Sequence, residues 1–285
     1  MKFENISGLI NRLGSSVASL IKVVLMSKGA SASSDEGNGR QLVIMGNGPS
    51  LRETIDKHLD WLLLNDLMAV NFSAISPEFF KLRPKYYILA DGHFFNSLDR
   101  DNNVRKLWES LAKVSWGMTL LVPAKFRHLI KPLLIDARDI RGRYYNLTPV
   151  EGFKWLSHNL YSWGLGMPRP RNVLIPALME GIRLGYKKIY ICGADHSWTK
   201  TLDVDDDNFV ISIQPHFYED NDEEHKRVRE TYKGLRLHDV LGSMSIAFKS
   251  YWEIGKYAKK KKVEIINATP GSMIDAFPRK CIKDQ

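Results

Sequence analysis

The sequence predicts an α/β fold built on a doubly wound, mainly parallel sheet with helices on both faces. From residue 41 onward, short apolar runs of strand length alternate with longer stretches of helical periodicity. At 285 residues, with 44% hydrophobic and 26% charged residues, the chain is long enough to bury one large core. Sheets of this type bind ligands at the carboxyl ends of their strands, so the residues that follow each strand form the candidate site.

Residues 1–39 are predicted to form an amphipathic helix and a flexible linker. Apolar residues recur at helical spacing from Ile6 to Leu25, with Lys and Arg between them. These interruptions make the run too polar for a transmembrane span, and the lack of a clean cleavage site argues against a signal peptide. The helix either lies on a membrane surface through residues 5–27 or packs on the domain or on a partner chain. Residues 29–40 are rich in Ser, Gly and Ala, a composition typical of a flexible linker.

Residues 40–285 are predicted to form a single domain. Six apolar runs are candidate strands: Leu42–Met45, Leu67–Asn71, Tyr86–Ala90, Thr119–Val122, Lys188–Cys192 and Val263–Ile266. Four stretches with helical periodicity are candidate helices: Leu51–Leu64, Val104–Lys113, Val173–Leu184 and Ser243–Lys260. Two long segments, residues 142–172 and 196–240, break the alternation, and such segments are usually lids or binding loops. We expect the lid at about residues 196–240.

The turn after the first predicted strand is the most informative segment, with the sequence Gly46-Asn47-Gly48-Pro49-Ser50. The two glycines allow close approach of the backbone to a ligand, and Pro49 and Ser50 suit the start of a helix. A helix start offers free N–H groups to an anion, so the turn predicts a nucleotide or phosphate cradle. It is neither a Walker A loop nor the three-glycine dinucleotide fingerprint, and a purely steric role for its glycines stays open.

Three other strand ends are predicted to reach the same edge of the sheet. They bring Asn71, Asp91 and the pair Asp195-His196 towards the glycine turn. Cys192 lies within the last of these strands and is expected to be a small core residue. Since Cys192 and Cys281 are far apart and form no metal-ligand pair, the chain suits a reducing cytosol.

Polar residues precede the third candidate helix. Arg169 and Arg171 flank a proline there, and either could hold a phosphate or carboxylate through paired hydrogen bonds. A solvated loop arginine is the simpler interpretation for at least one of them. Asn172 is predicted to be the N-cap of the helix, with donors left free for a ligand.

Charge narrows the classes of partner. The net charge of +9 suits an anionic ligand or an anionic membrane surface. Nucleic acid is not expected, because the positive charge is scattered and no helix-turn-helix, zinc-finger or RNA-binding signature is present. The acidic run Asp203–Asp207 has the composition of a cation-binding motif. We expect it to be a solvated loop instead, because it falls in the predicted lid.

These motifs together resemble those of a known group of enzymes. The relevant segments are Gly46–Leu51, Val70-Asn71, Ala90-Asp91, Leu184–Asp195 and Asn267–Ser272. They are similar to the bacterial lipooligosaccharide sialyltransferases of glycosyltransferase family 42. They also resemble the DUF115 group, which includes motility accessory factors and archaeal 6-hydroxymethylpterin pyrophosphokinases. The resemblance covers roughly Gln41 to Phe277 and implies a Rossmann-like domain with a mobile lid and metal-independent transfer from CMP-sialic acid.

The resemblance also implies roles for individual residues. Asn47 would contact the nucleotide and Asn71 would lie under the cytidine and ribose, while a lid histidine would act as base and lid tyrosines would hold the phosphate. The residues assigned to the nucleotide are Gly46, Asn47, Gly48, Pro49, Ser50, Asn71, Asn172 and Ser272. Those assigned to the sugar substrate are Asp91, Arg171, Asp195, His196 and Tyr218.

For the base we select His216, because transfer to a sugar hydroxyl needs a proton acceptor with a pKa near neutrality. His216 lies between two acidic segments of the predicted lid, and His196 and His225 are its rivals. The chain departs from the sialyltransferase pattern at two places. The family's Asp-Phe-Tyr is replaced by Asp195-His196-Ser197-Trp198, and Asp91 stands where the family has asparagine. The identity of the donor therefore stays open.

Three functions remain after these considerations. The leading one is a glycosyltransferase of cell-surface glycan assembly, cytoplasmic or at the inner face of the membrane. It would use a CMP-activated sugar and a glycan or lipid-linked acceptor, without a cofactor or metal. The alternatives are a Mg²⁺-dependent pyrophosphokinase or phosphotransferase and a non-catalytic nucleotide-binding protein. Association with a second copy of the chain stays open in all three.

Overall fold

The computed structural model describes residues 2–133, 137–212 and 234–282. Its strands are β1 Gln41–Met45, β2 Asp66–Val70, β3 Tyr86–Ile88, β4 Met118–Pro123, β5 Ile140–Tyr145, β6 Lys188–Cys192, β7 Leu202–Val204, β8 Val210–Ser212 and β9 Glu264–Asn267. Seven of them form one parallel sheet in the order β5-β4-β3-β2-β1-β6-β9, and β7 and β8 form an antiparallel hairpin. The predicted α/β class is confirmed.

The helices cover both faces of this sheet. They are α1 Lys2–Met26, α2 Ser50–Leu63, α3 Pro77–Leu82, α4 His93–Asn96, α5 Asn102–Ala112, α6 Arg127–Leu133, α7 Lys154–Ser162, α8 Leu174–Arg183 and α9 Leu237–Lys260. Helices α8 and α9 pack in one hydrophobic core, and α2 and α5 pack in the other. The arrangement is the doubly wound, Rossmann-like one that the alternation of elements predicts.

Strand β1 shows why its sequence is a continuous apolar run. Leu42 and Ile44 lie in one core and Val43 and Met45 in the other, since successive side chains of a strand point to opposite faces. All four side chains are buried. A central parallel strand that is covered by helices on both sides has no polar face. Its sequence therefore does not alternate between apolar and polar residues.

The strand order reverses next to β1. The chain moves outward from β1 through β2, β3 and β4 to β5, and then returns to place β6 on the other side of β1. Strands β1 and β6 end level with each other, because Met45 is opposite Cys192. The crevice beyond these two carboxyl ends is the place where ligands bind in open sheets of this kind.

Residues 142–172 are not the irregular segment that the sequence predicts. They contain the end of β5 and all of α7, and Val150, Leu160 and Tyr161 are buried in the core. Strand β5 escapes prediction because its sequence, Ile-Arg-Gly-Arg-Tyr-Tyr, has no apolar run. It is an edge strand, and its buried Arg143 is neutralised by Glu180 of α8, with Nε and Oε2 at 3.2 Å.

The segment between α1 and β1 is fastened to the domain, whereas its composition predicts a flexible linker. The backbone N–H of Ser31 donates to the carbonyl of Tyr144 at 2.8 Å, and that of Gly37 donates to the carbonyl of Leu184 at 2.9 Å. The guanidinium of Arg143 also donates to the carbonyl of Ala32 at 2.8 Å. These bonds join the segment to β5 and to the end of α8, partners that composition alone does not reveal.

One helix among the described residues is long and apolar enough to cross a membrane by length and composition, the Ile6–Met26 part of α1. The sequence interpretation had placed it below that threshold because polar residues interrupt it. Most of this stretch is exposed to solvent in the structure. Its orientation on the domain is considered below.

Candidate functional site

The crevice at the ends of β1 and β6 is closed at its base by the contact of two glycine turns. The N–H of Gly48 donates to the carbonyl of Gly193 at 2.8 Å. A Cβ placed on Gly46 would lie 2.4 Å from the Gly193 oxygen, and one on Gly193 would lie 2.7 Å from the Gly46 oxygen. Both positions therefore need glycine for the two backbones to approach, which is the steric role that the sequence left open.

The carboxylate of Asp195, which follows β6 in the chain, lies at the start of helix α2. Its Oδ2 accepts hydrogen bonds from the Ser50 hydroxyl at 2.8 Å and from the Ser50 N–H at 3.4 Å. A Cβ on Gly48 would lie 2.0 Å from the same oxygen, so Gly48 makes room for this carboxylate. The positive end of the helix dipole thus meets an anion supplied by the chain itself. Pro49, directly before the helix, is exposed.

Asn47 is the residue of this turn with unused binding capacity. Its Oδ1 is buried and has no hydrogen-bond partner among the described residues. Leaving a buried carbonyl oxygen unpaired costs free energy, so natural structures pair such atoms with protein, water or ligand. A ligand N–H or O–H group in the crevice would supply the missing donor.

A chain of three side chains lies on the β6 side of the crevice. His196 Nε2 is 2.6 Å from the Tyr251 hydroxyl, which donates to Asn172 Oδ1 at 2.9 Å. Since Tyr251 has one hydroxyl proton and gives it to Asn172, the proton in the 2.6 Å contact belongs to His196 Nε2. The same Asn172 oxygen accepts the N–H of Leu174, the first residue of α8, at 3.0 Å, although the N-cap position itself is Val173 and not Asn172 as predicted. Asn172 Nδ2 is buried and unpaired among the described residues, free to donate to a ligand.

His196 is held in an uncommon state. Its φ of 51° is in the left-handed region, which is rare for a residue other than glycine and is typical of constrained sites. Burial lowers the pKa of His196 to about 3. The imidazole is therefore neutral at physiological pH and too weak a base to hold a proton after transfer. Its suitable role is to position other groups through hydrogen bonds.

Tyr251 was missed by the sequence interpretation. It lies on the buried face of α9, and burial raises the pKa of its hydroxyl well above the usual range. Nothing distinguishes it locally from a core tyrosine, because its partner His196 is 55 residues away in the chain. Only the packing of α9 against the end of β6 brings the two together.

Asn71 and Asp91 follow β2 and β3, as predicted. Asn71 has a φ of 48°, and its carbonyl accepts a short hydrogen bond from the Tyr87 hydroxyl. Asp91 is exposed, and its Oδ1 accepts the N–H of His93 at 2.9 Å at the start of the short helix α4. Both residues lie at the carboxyl edge of the sheet.

Two predicted binding residues have other surroundings than expected. Ser272 is buried, and its hydroxyl donates to the carbonyl of Ala194 at 2.7 Å and accepts the N–H of Ile274 at 3.2 Å. Through these hydrogen bonds, Ser272 holds the turn after β6 in place. Arg171 is exposed, while its neighbour Arg169 is paired with Glu151 at 2.6 Å.

The predicted lid is described in part. Its β7–β8 hairpin carries the acidic run at its tip, where Asp205 Oδ1 accepts the N–H groups of Asp207 at 3.1 Å and Phe209 at 2.7 Å. Within residues 2–133, 137–212 and 234–282, no group of His, Cys, Asp or Glu is arranged to hold a metal ion. The predicted base His216, its rival His225 and the predicted phosphate ligand Tyr218 lie outside the described residues.

Comparison with solved structures agrees with the fold. The chain is similar to the MAf glycosyltransferase from Magnetospirillum magneticum AMB-1, with a TM-score of 0.50 and 13% sequence identity. The match covers 95% of this chain but 38% of that enzyme, so the present chain spans well under half the length of the protein it matches. No protein-family model and no curated protein matches the sequence. At this level of identity, the chain and the MAf glycosyltransferase share a fold.

Proposed function

We propose that this protein is a glycosyltransferase that takes a sugar from a nucleotide-activated donor for cell-surface glycan assembly. The observation that carries the proposal is the buried Oδ1 of Asn47, which has no hydrogen-bond partner among the described residues. It lies beyond the ends of β1 and β6, where this type of sheet binds nucleotides. The fold shared with a MAf glycosyltransferase is consistent with the proposal.

The proposed donor is CMP-linked, with sialic acid or a similar acidic sugar, and needs no metal. The family resemblance of the Gly46–Leu51 turn supports the CMP group, and the net charge of +9 suits an anionic donor. Asn47 and Asn71 would hold the nucleotide. Asn172, fixed by Tyr251, would present its free Nδ2 donor towards the sugar or phosphate.

The proposed reaction is a direct displacement. The acceptor hydroxyl oxygen bonds to the anomeric carbon of the sugar while the bond from that carbon to the phosphate oxygen breaks, and CMP leaves with the electron pair. The hydroxyl proton passes to a base, for which we propose His216. His196 is unsuited to that step because burial lowers the pKa of its imidazole to about 3.

The test is the thermal stability of the protein with CMP, CDP, UDP, GDP or ATP, each with and without Mg²⁺. A ligand at a hundredfold excess over its dissociation constant stabilises the native state by about 2.7 kcal/mol. We expect CMP to raise the melting temperature without metal and Asn47→Ala to abolish the effect. The matched control is Asn65→Ala, which removes a hydrogen bond to the Trp61 carbonyl away from the crevice.

Stabilisation only by ATP with Mg²⁺ would contradict this proposal and support the pyrophosphokinase alternative. Stabilisation by CMP without release of CMP from any CMP-sugar, across a panel of glycan acceptors, would support a non-catalytic nucleotide-binding protein. Release of CMP in the presence of a chelator, lost in His216→Ala, is the result expected for the glycosyltransferase.

A further inference from the structure

Helix α1 contacts the domain mainly through serines, together with the partly buried Val23. Ser16 and Ser19 are buried, with 4% and 2% of their surface exposed. The N–H of Phe153 donates to Ser16 Oγ at 3.0 Å, and the N–H of Glu151 donates to Ser19 Oγ at 2.9 Å. A Cβ on Gly152 would lie 2.2 Å from Ser16 Oγ, so glycine there lets the helix approach the domain closely.

The same contact continues past the end of the helix. The hydroxyl of Ser27 donates to the carbonyl of Leu165 at 2.5 Å and lies 2.8 Å from the Thr148 hydroxyl. The N–H of Lys28 donates to Asn146 Oδ1 at 2.9 Å. From Ser16 onward, α1 is therefore held along the domain surface by hydrogen bonds.

Most apolar side chains of α1 point away from this contact. Ten of them are between 43% and 82% exposed: Ile6, Leu9, Ile10, Leu13, Val17, Leu20, Ile21, Val24, Leu25 and Met26. At 100° per residue, nearly all of them fall in one stripe beside the serine face. Monomeric soluble proteins rarely expose so long an apolar stripe, and such surfaces mark interaction sites.

The surroundings of the stripe indicate what covers it. Residues 1–28 contain four basic residues, Lys2, Arg12, Lys22 and Lys28, against the single acidic residue Glu4. Trp155 and Trp163 lie at the two ends of α7, and each is 65% exposed. Helix α7 directly follows the residues that bind Ser16 and precedes Leu165, which binds Ser27.

We propose that the exposed stripe of α1 lies in the interface of an anionic lipid bilayer and attaches the protein to it as a monotopic helix. An apolar stripe with basic residues outside it is the pattern of interfacial helices, and basic residues add attraction to anionic headgroups. Tryptophan prefers the boundary between lipid and water, so Trp155 and Trp163 suit a position at the same surface.

The contact with the domain favours an in-plane helix over a spanning one. If the Ser16–Ser27 part entered the hydrocarbon core, it would carry the backbone polar groups of residues 148–153 and the paired Glu151 and Arg169 with it, at a high cost in free energy. The remaining residues 2–15 extend about 21 Å as a helix, which is shorter than the hydrocarbon thickness of about 30 Å.

The experiment is flotation of the full-length protein with vesicles on a density gradient. We expect binding to mixed phosphatidylglycerol–phosphatidylcholine vesicles, weaker binding to phosphatidylcholine alone, and release by alkaline carbonate. The double variant Leu13→Ser, Leu20→Ser should reduce the partition coefficient roughly tenfold or more, since both side chains would be buried in lipid. The matched control is Leu64→Ser, Leu241→Ser, which alters two exposed leucines elsewhere and should float as the wild type does.

Four results would overturn the proposal, the last of them its in-plane placement of the helix. The first is the absence of flotation, and the second is unchanged flotation of the Leu13→Ser, Leu20→Ser variant. The third is a wild-type dimer by light scattering that this variant converts to a monomer, with no vesicle binding, because a second copy would then cover the stripe. Retention after carbonate treatment would overturn the in-plane placement. The CMP-induced thermal shift is measured separately, so it distinguishes failure of this proposal from failure of the proposed function.

Discussion

Buried polar groups at the two edges of the central sheet differ in how they are paired. At the amino edge, the Asp66 carboxylate lies 2.8 Å from Lys85 Nζ and 2.7 Å from an Arg40 guanidinium nitrogen. It also accepts a short hydrogen bond from the Tyr186 hydroxyl. Burial is the largest single influence on the pKa of Lys85 and lowers it, but the hydrogen bonds and charges of Asp66 and Tyr86 together outweigh burial, so the pKa is raised. Asp66 is thus supplied with partners by the fold.

At the carboxyl edge, polar groups are held in place but incompletely paired. Asn47 Oδ1 and Asn172 Nδ2 are buried without a partner among the described residues. Asn71 and His196 have left-handed backbone conformations. Unpaired atoms and uncommon conformations cost stability, and they are enriched at functional sites. Asp66 at the amino edge is paired by the fold itself, whereas Asn47 and Asn172 at the carboxyl edge keep atoms that we propose serve binding.

The largest expected effect tests the paired edge. Asp66→Ala leaves Lys85, Arg40 and Tyr186 without their common acceptor, so we expect a loss of about 3 kcal/mol in the free energy of unfolding. Denaturant unfolding measures this loss, with Asp60→Ala, at an exposed position of α2, as the control. The CMP-induced shift should persist in Asp66→Ala at a temperature where it is folded. Loss of that shift alone, with unchanged stability, would contradict the contrast.

The next effect concerns the pH dependence of His196. Its pKa is about 3 in the folded state and about 6.5 when unfolded, so acid protonates the unfolded state first. The contribution of His196 to the free energy of unfolding is largest above about pH 6.5 and falls as the pH drops towards 3. Between pH 7 and pH 5, the wild type should lose about 2 kcal/mol more than His196→Gln. Equal losses in the two proteins would show that His196 is not buried as described.

A smaller effect is expected for Asp195→Asn. The amide oxygen can still accept the Ser50 hydroxyl, but the negative charge at the start of α2 is lost. We expect a decrease of about 1 kcal/mol in the free energy of unfolding. High salt should make this decrease smaller, because it screens the charge. Asp203→Asn, on the exposed acidic hairpin, should leave stability unchanged. A loss of several kcal/mol in Asp195→Asn would place it with Asp66 as a folding residue.

The smallest effect on stability separates the two edges most sharply. Asn47→Ala removes an oxygen that has no partner within residues 2–133, 137–212 and 234–282, so the free energy of unfolding should change by no more than about 0.5 kcal/mol. Asn65→Ala, which loses a 2.7 Å hydrogen bond, should lose about 1 kcal/mol instead. If Asn47→Ala destabilises the ligand-free protein more than Asn65→Ala does, the unpaired oxygen is not the feature that marks the binding edge.

The sequence predicts six of the seven strands of the parallel sheet but misses β5, which lies at one edge. Strands β1 and β6 are continuous apolar runs because both faces are buried, and Lys188–Cys192 is predicted with its observed bounds. Strand β5 is an edge strand, and its Arg143 is buried only because Glu180 faces it from α8. That pairing spans 37 residues of sequence, so no local pattern reports it.

The candidate site divides in the same way. Local motifs are enough to place Asn47, Asn71, Asp91 and Asp195 at the carboxyl edge, because parallel strands all end on one side of a sheet. They do not reveal that Ser50 is engaged by Asp195, since the two are 145 residues apart. The roles of the residues in catalysis and the assignment of His216 stay predictions.

By itself, the sequence determined the fold class, the edge of the sheet on which the candidate residues lie and the amphipathic helix at the start of the chain. These properties follow from periodicity and turn chemistry, which act between neighbours in the chain. The tertiary structure decided which polar atoms are paired, that Tyr251 joins His196 and that serines attach α1 to the domain. Those contacts join residues far apart in the chain, and only the packing of elements brings their atoms within hydrogen-bond distance.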